Sequence, residues 1–149
     1  MKIFKKSSLR GKINKFNIVI FDLDNTIYDE KEFDVPSLKN VSKYLEKKIN
    51  INNEIIFKKL KSLRFKKKKL IFNRFLQNIK LSKTNYKYLV QKTVKIFQEY
   101  ECNELKNIDS LKQDLRIYCK TKKLYLVTRG QKSRQKKKIT KLGIKKFFK

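Results

Sequence analysis

The fold is decided by the stretch Ile18-Val19-Ile20-Phe21-Asp22-Leu23-Asp24-Asn25-Thr26-Ile27-Tyr28. The run from Asn17 to Phe21 is β-branched and aromatic and stops at an acidic residue, which predicts a strand buried on both faces. Asp22 and Asp24 follow it, one residue apart. Because open α/β sheets bind ligands in the crevice beyond the carboxyl ends of their strands, we expect both carboxylates to face that crevice.

These two carboxylates have the properties that transfer of a phosphoryl group requires. Such chemistry needs a nucleophile, an acid beside the leaving oxygen and a hard cation that neutralises the transferred oxygens. Asp22 is the candidate nucleophile, and Asp24 can turn back beside it as acid and base once the chain curls into a loop. Mg²⁺ prefers oxygen ligands, which Asp22 and the backbone carbonyl of Asp24 supply. The alternative is that both acids only cap a loop after a core strand.

A second strand is predicted from Lys123 to Thr128, where Arg129 and Gly130 break the pattern at a turn. A hydroxyl at Thr128 and free backbone N–H groups near Gly130, just ahead of a helix, suit a phosphate oxygen. The same hydroxyl could instead cap that helix. The helix is predicted from Lys132 to Leu142 and ends at Gly143, a residue that favours the left-handed conformation.

Helical periods fill the chain between the two strands. One helix carries an apolar stripe through Leu45, with Asp34 and Pro36 as its cap and first turn. A later helix is predicted to begin at the capping Ser82, and another at Asp109, which we expect to be its N-cap. The apolar positions that set these periods are Leu38, Val41, Leu45, Ile49, Ile56, Leu60, Leu63, Tyr86, Leu89 and Phe97.

At this point a family resemblance becomes specific. Residues 18–28 resemble the first signature motif of the haloacid dehalogenase-like (HAD) hydrolases, and Leu126-Val127-Thr128-Arg129-Gly130 resembles the second. The segment that follows is similar to the nucleotidase and phosphoglycolate-phosphatase-like branch with a helical cap. The resemblance implies an α/β fold with a partial Rossmann-like core of two parallel strands, in residues 1–28 and 119–149. It implies an inserted α-helical cap over residues 29–118, which in that family covers the phosphate and selects the substrate.

The resemblance also implies roles for individual residues. Asp22 is the expected nucleophile, and Asp24 the expected general acid and base; both are the expected magnesium ligands. The substrate class implied is a small phosphorylated metabolite such as a nucleotide or a sugar phosphate. The remaining phosphate-binding positions implied are Thr26, Thr128, Arg129 and Gly130.

The sequence departs from the family pattern at its carboxyl end. The family's third motif supplies a lysine and its fourth supplies further acidic residues, and both lie downstream of the last residue, Lys149. We therefore expect a C-terminally incomplete core. Most of the lysines of residues 132–146 are expected to face solvent, and none is expected to replace the missing lysine. Apolar surface near Phe147 and Phe148 is expected to remain exposed.

Charge is extreme: 41 Lys and Arg against 13 Asp and Glu give +28 at pH 7. Such a charge attracts nucleic acids and other polyanions. It is also what A- and T-rich codons produce without any basic partner, since lysine, asparagine, isoleucine, phenylalanine and tyrosine crowd the sequence. The apolar run before Asp22 is too short for an export signal or a membrane span, so we expect a cytoplasmic protein. The two cysteines form no CxxC pair and are expected to be ordinary thiols.

Three functions are consistent with the sequence. The first is a magnesium-dependent phosphomonoester hydrolase that works through an aspartyl phosphate. The second is a non-catalytic basic module that binds RNA or DNA through Lys66 to Lys69 and the lysine-rich ends. The third is a non-functional remnant of a phosphatase. The oligomeric state cannot be read from the sequence.

Overall fold

A computed structural model describes residues 16–66, 68–101, 105 and 108–149. The chain divides into two compact units, one made of Met1–Glu32 with Asn103–Lys149 and the other of Phe33–Cys102. We call them unit 1 and unit 2. The elements, in chain order, are β1 (Ile18–Asp22), α1 (Lys31–Ile49), α2 (Asn53–Phe65), α3 (Ile71–Leu76), α4 (Lys83–Glu99), α5 (Ile108–Cys119), β2 (Lys123–Val127), α6 (Lys132–Leu142) and a 3₁₀ turn (Lys145–Phe147).

The two strands of unit 1 are parallel neighbours, which confirms the predicted α/β class. Their register places Ile18 opposite Lys123 and Asp22 opposite Val127, so both strands end at the same edge of the sheet. A parallel pair requires a long crossover, and here that crossover contains all of unit 2 and α5. The residues that follow each strand therefore meet at one edge.

The prediction that the first strand is buried on both faces is wrong for the described part of the chain. Ile18 is 55% exposed and Ile20 is 65% exposed, while Val19 and Phe21 on the opposite face are partly buried. The neighbouring strand repeats the pattern, with Leu124 buried and Val127 59% exposed. An uninterrupted apolar run predicts burial on both faces only if both faces are covered, and among the described residues the face that carries Ile18 and Ile20 is exposed.

The carboxyl end of unit 1 packs against the covered face. Gly143 closes α6 with φ of 62°, in the left-handed conformation predicted from the sequence. Ile144 and Phe147 are buried, and the ring of Phe148 packs edge-on against Phe21 with centroids 6.0 Å apart. The prediction of exposed apolar surface at residues 147 and 148 is therefore wrong, because the 3₁₀ turn folds this segment back onto the sheet.

Unit 2 is a bundle of the helices α1 to α4. Its core is a contiguous cluster of buried apolar side chains. Six of them lie on the stripes predicted from the sequence: Leu38, Val41, Leu45, Ile56, Leu60 and Leu89. The other four belong to α3, which the sequence analysis did not predict: Ile71, Phe72, Phe75 and Leu76. Ser82 caps α4 as predicted, since its side chain accepts a hydrogen bond from the amide of Asn85 at 3.3 Å. Each of these helices has an apolar face that must be buried, and packing the four helices together buries these faces in one core.

The predicted start of the first helix is wrong. α1 begins at Lys31, and Asp29 accepts a hydrogen bond from the amide of that residue at 2.9 Å. Asp34 lies inside the helix with 1% exposure, and its carboxylate pairs with Nε of Arg64 at 2.5 Å. Its acidic side chain therefore forms an ion pair within unit 2 and does not cap a helix end.

One further boundary differs from the sequence analysis. α5 begins one residue before Asp109, which lies in its first turn and is not its N-cap. Unit 2 spans Phe33–Cys102, and α5 belongs to unit 1. Along the described residues, no helix combines the length and hydropathy that a membrane crossing requires.

Candidate active site

Asp22 lies at the end of β1, where its carboxylate is exposed. Its partner in the sheet is Val127, and Thr128 follows directly, so the two predicted motifs meet at the carboxyl edge of the sheet. A side chain at such an edge can reach a ligand that approaches from the crevice. The structure therefore brings Asp22 and the turn at residues 128–130 to one place, as the sequence predicts.

The loop after β1 turns the chain back on itself. Leu23 is fully buried, and its carbonyl accepts hydrogen bonds from the amides of Ile27 at 3.1 Å and Thr26 at 3.5 Å. Asn25 adopts the left-handed conformation with φ of 60°, which asparagine tolerates better than most residues. The loop exposes the side chain of Thr26 and returns Asp24 toward the interior of unit 1.

Three donors hold the carboxylate of Asp24. Nζ of Lys138 lies 2.7 Å from Oδ1, and Nε2 of Gln135 lies 2.9 Å from Oδ2. The hydroxyl of Tyr28 donates a further hydrogen bond to Oδ1. Both carboxylate oxygens are thus engaged, and the side chain has little freedom to rotate about its last bond.

The environment keeps Asp24 in its charged form. Burial raises the pKa of this carboxyl, but the hydrogen bonds from Lys138, Tyr28 and Gln135 and the charge of Lys138 outweigh burial. The pKa of Asp24 therefore lies below its ordinary value of 3.8. At neutral pH the group is a carboxylate that can accept a proton.

Lys138 is an exception to the expectation that most lysines of residues 132–146 face solvent. It lies on α6 with its side chain 3% exposed, and its Nζ also lies 5.6 Å from the centre of the Tyr28 ring. An ammonium group so deeply buried needs partners, and Asp24 and the face of the aromatic ring supply them. Lys138 was not among the site residues predicted from the sequence.

Gln135 was also missed as a site residue. Its Nε2 donates to the carbonyl of Arg129 as well as to Asp24, so one amide joins the turn after β2 to the loop after β1. A signal for both residues was present: Gln135, Lys138 and Leu142 recur at helical spacing and are all buried. Extending the apolar stripe of α6 backwards from Leu142 finds them.

The turn after β2 contains the predicted phosphate-binding residues. Thr128 is partly buried, and its hydroxyl lies 3.5 Å from the carbonyl of Arg129, whose own side chain is exposed. Gly130 has φ of 121°, a conformation that L-residues rarely adopt. Gln131 occupies the N-cap position of α6, but its side chain makes no capping hydrogen bond. The first amides of a helix point out of its N-terminal end, which here follows the turn, and they receive no acceptor from the side chain of Gln131.

The donors at this edge fit part of a magnesium site. In residues 16–66, 68–101, 105 and 108–149, no group of three or more His, Cys, Asp or Glu side chains could hold a metal ion. The carboxylate of Asp22 is a suitable hard ligand. The carboxylate of Asp24 is bound by Lys138 and Gln135, so Asp24 fits such a site through its backbone carbonyl and not through its side chain.

Comparison with known proteins gives one family. A family model described as haloacid dehalogenase-like hydrolase matches residues 19–149, which include the first motif from its second residue, the second motif and the whole of the intervening segment. A search of curated proteins gives no match.

Proposed function

Because the chain belongs to the haloacid dehalogenase-like hydrolases, we propose that it hydrolyses phosphate monoesters through a phosphorylated Asp22 in a magnesium-dependent reaction. The observation that carries the proposal is the meeting of an exposed Asp22 with the turn at residues 128–130 at the carboxyl edge of the sheet. The family is one of hydrolases; the phosphate ester, the cation and the mechanism are our proposal.

Asp22 supplies the nucleophile. One oxygen of its carboxylate attacks the phosphorus atom, the bond from phosphorus to the ester oxygen breaks, and the leaving alkoxide takes a proton from the protonated form of Asp24. Water then attacks the phosphorus atom of the aspartyl phosphate, which releases inorganic phosphate and restores Asp22. Exposure at the end of β1 supports this role, because a substrate must reach the carboxylate without prior opening of the fold.

Asp24 supports the second half of this reaction best. Lys138 and Gln135 hold it as a carboxylate, which is the form that takes a proton from the attacking water. Protonating the leaving group in the first half of the reaction requires the protonated form of Asp24. An aryl phosphate, whose leaving group departs without a proton from the enzyme, is therefore the substrate that tests Asp22 most directly.

The turn after β2 is proposed to bind the phosphate. Thr128 and the backbone at Arg129 and Gly130 lie ahead of α6, where N–H groups and the positive end of the helix dipole favour an anion. Thr26 is exposed in the loop after β1 and is proposed to contact the same phosphate. Magnesium, when bound, would be held by the Asp22 carboxylate and the Asp24 carbonyl. It would supply positive charge that offsets the charge of the transferred phosphoryl oxygens.

The substrate is proposed to be a small phosphorylated metabolite in the cytoplasm, with a nucleotide or a sugar phosphate as the leading classes. Residues 29–118 are proposed to act as the substrate-selecting cap. The high positive charge of the chain supports an anionic substrate, since it raises the rate at which anions encounter the protein.

The test is hydrolysis of 4-nitrophenyl phosphate by the full chain with and without Mg²⁺. We expect metal-dependent turnover that is abolished in Asp22→Asn and retained in Asp109→Asn, which removes an exposed carboxylate from α5. Turnover that survives Asp22→Asn would reject the nucleophile assignment. Folded wild-type protein without turnover would reject the phosphatase.

A further inference from the structure

We propose that Lys138 and Gln135 are positioning residues, which fix the carboxylate of Asp24 in the geometry that its proton transfer requires. This inference rests on the proposed phosphatase. It assigns a function to the two polar side chains on the buried face of α6, where Gln135 is 7% exposed and Lys138 is 3% exposed.

Lys138 fixes one oxygen of Asp24. Its Nζ lies 2.7 Å from Oδ1, and the same oxygen accepts a hydrogen bond from Tyr28. The Nζ atom also lies 5.6 Å from the centre of the Tyr28 ring, so lysine, tyrosine and carboxylate form one closed cluster. Moving Asp24 would break both bonds to this oxygen and would leave a buried ammonium group without its carboxylate.

Gln135 fixes the other oxygen and ties it to the second motif. Its Nε2 donates both to Oδ2 of Asp24, at 2.9 Å, and to the carbonyl of Arg129. Because Oδ1 and Oδ2 are bound from two residues on α6, the carboxylate cannot turn about its last bond without losing donors at both ends. The loop after β1 and the turn after β2 are therefore held at a set separation through a single amide.

Gly130 leaves the space that Gln135 occupies. A Cβ atom at position 130 would lie 3.1 Å from Nε2 of Gln135, tighter than an ordinary contact. The φ of 121° at Gly130 also disfavours any other residue there. The backbone of the second motif thus accommodates the amide that reaches Asp24.

Stability alone is a weak reason for this arrangement. A buried ion pair is often no more stabilising than apolar side chains of the same volume, and α6 already presents Leu142 to the core. Here three polar side chains converge on one acid of the site, which is what preorganisation of a catalytic group requires.

The experiment is a kinetic double-mutant cycle with 4-nitrophenyl phosphate and Mg²⁺. Lys138→Met removes the charge and keeps the aliphatic stem, and Lys136→Met, at an exposed position of the same helix, is the matched control. We expect kcat of Lys138→Met to fall about 100-fold, the loss that a displacement near 1 Å produces, with KM within about threefold of wild type. Gln135→Met should behave in the same way, and Lys136→Met should match wild type.

The cycle separates positioning from a merely structural role. If Lys138 acts through Asp24, adding Lys138→Met to Asp24→Asn lowers kcat no further. Losses that multiply, or a kcat of Lys138→Met within about threefold of wild type, overturn the inference while the phosphatase stands.

A second measurement keeps the inference testable if the wild-type protein shows no turnover. Hydrogen exchange of the Ile27 amide, bonded to Leu23 in the loop, should accelerate about tenfold in Lys138→Met and Gln135→Met but not in Lys136→Met. Accelerated exchange without turnover rejects the phosphatase and supports the positioning of the loop. Unchanged exchange overturns the positioning.

Discussion

Replacing Lys138 by methionine should destabilise unit 1 by about 2 kcal/mol. Breaking a fully buried ion pair by removing one partner costs about 3 to 5 kcal/mol. Asp24 retains 20% exposure, so water can rehydrate part of its carboxylate, and the donors of Tyr28 and Gln135 remain. These two features reduce the expected loss to about 2 kcal/mol, which corresponds to about a 30-fold change in the opening equilibrium.

The assay is native-state hydrogen exchange of the β1 amides, which lie in unit 1 and report its opening. Lys136→Met should change the opening free energy by less than about 0.5 kcal/mol, as is usual for an exposed position. Combining Lys138→Met with Asp24→Asn should cost less than the sum of the two single changes, because both remove the same pair. If Lys138→Met is no more destabilising than Lys136→Met, the buried ion pair does not stabilise the protein in solution and the reasoning fails.

Three other perturbations test separate parts of the structure. The pKa of Asp24 in the folded protein lies below its ordinary value of 3.8, so the stability that Asp24 contributes is complete above pH 3.8 and is lost as the pH falls through the lower folded value. Urea titrations at pH 7 and pH 3 should therefore show that wild type loses more stability than Asp24→Asn. Equal losses would contradict the ion pair. Gly143→Ala should lower the free energy of unfolding, measured by thermal unfolding, by about 1 kcal/mol, because φ at this position is 62°. The new Cβ atom would lie 3.2 Å from the Lys112 side chain, which is flexible and can move away. No change in stability would show that the end of α6 tolerates another conformation. Arg64→Met should weaken unit 2 by about 2 kcal/mol in exchange of the α1 amides, since Asp34 is 1% exposed; unchanged protection would refute the importance of that pair.

The sequence was informative where local chemistry controls the backbone. Gly143 ends α6 in the left-handed conformation, and Ser82 caps α4, because each depends on only a few neighbouring residues. The two strands and their shared carboxyl edge were predictable because an apolar run followed by Asp22 has few other structural solutions. The order of the motifs then led to the family.

Tertiary contacts explain the predictions that were wrong. Asp34 is of a residue type that often caps helices, but inside α1 it pairs with the guanidinium group of Arg64, thirty residues later. Ile20 lies in an apolar run that is typical of a strand buried on both faces, but its burial depends on whether other elements cover that face of the sheet. Lys138 lies in a lysine-rich helix of the kind that usually faces solvent, and it gains a buried partner because the loop after β1 returns Asp24 toward α6.

The long crossover between the strands has a consequence for the order of folding. Asp24 meets Gln135 and Lys138 across 111 and 114 residues of sequence, so these contacts require a large loop to close. Unit 2 is one continuous segment of helices and can fold from contacts much nearer in sequence. We therefore expect the carboxylate of Asp24 to reach its partners late, once α6 has emerged from the ribosome, so that a nascent chain forms the bundle of unit 2 before it forms these contacts.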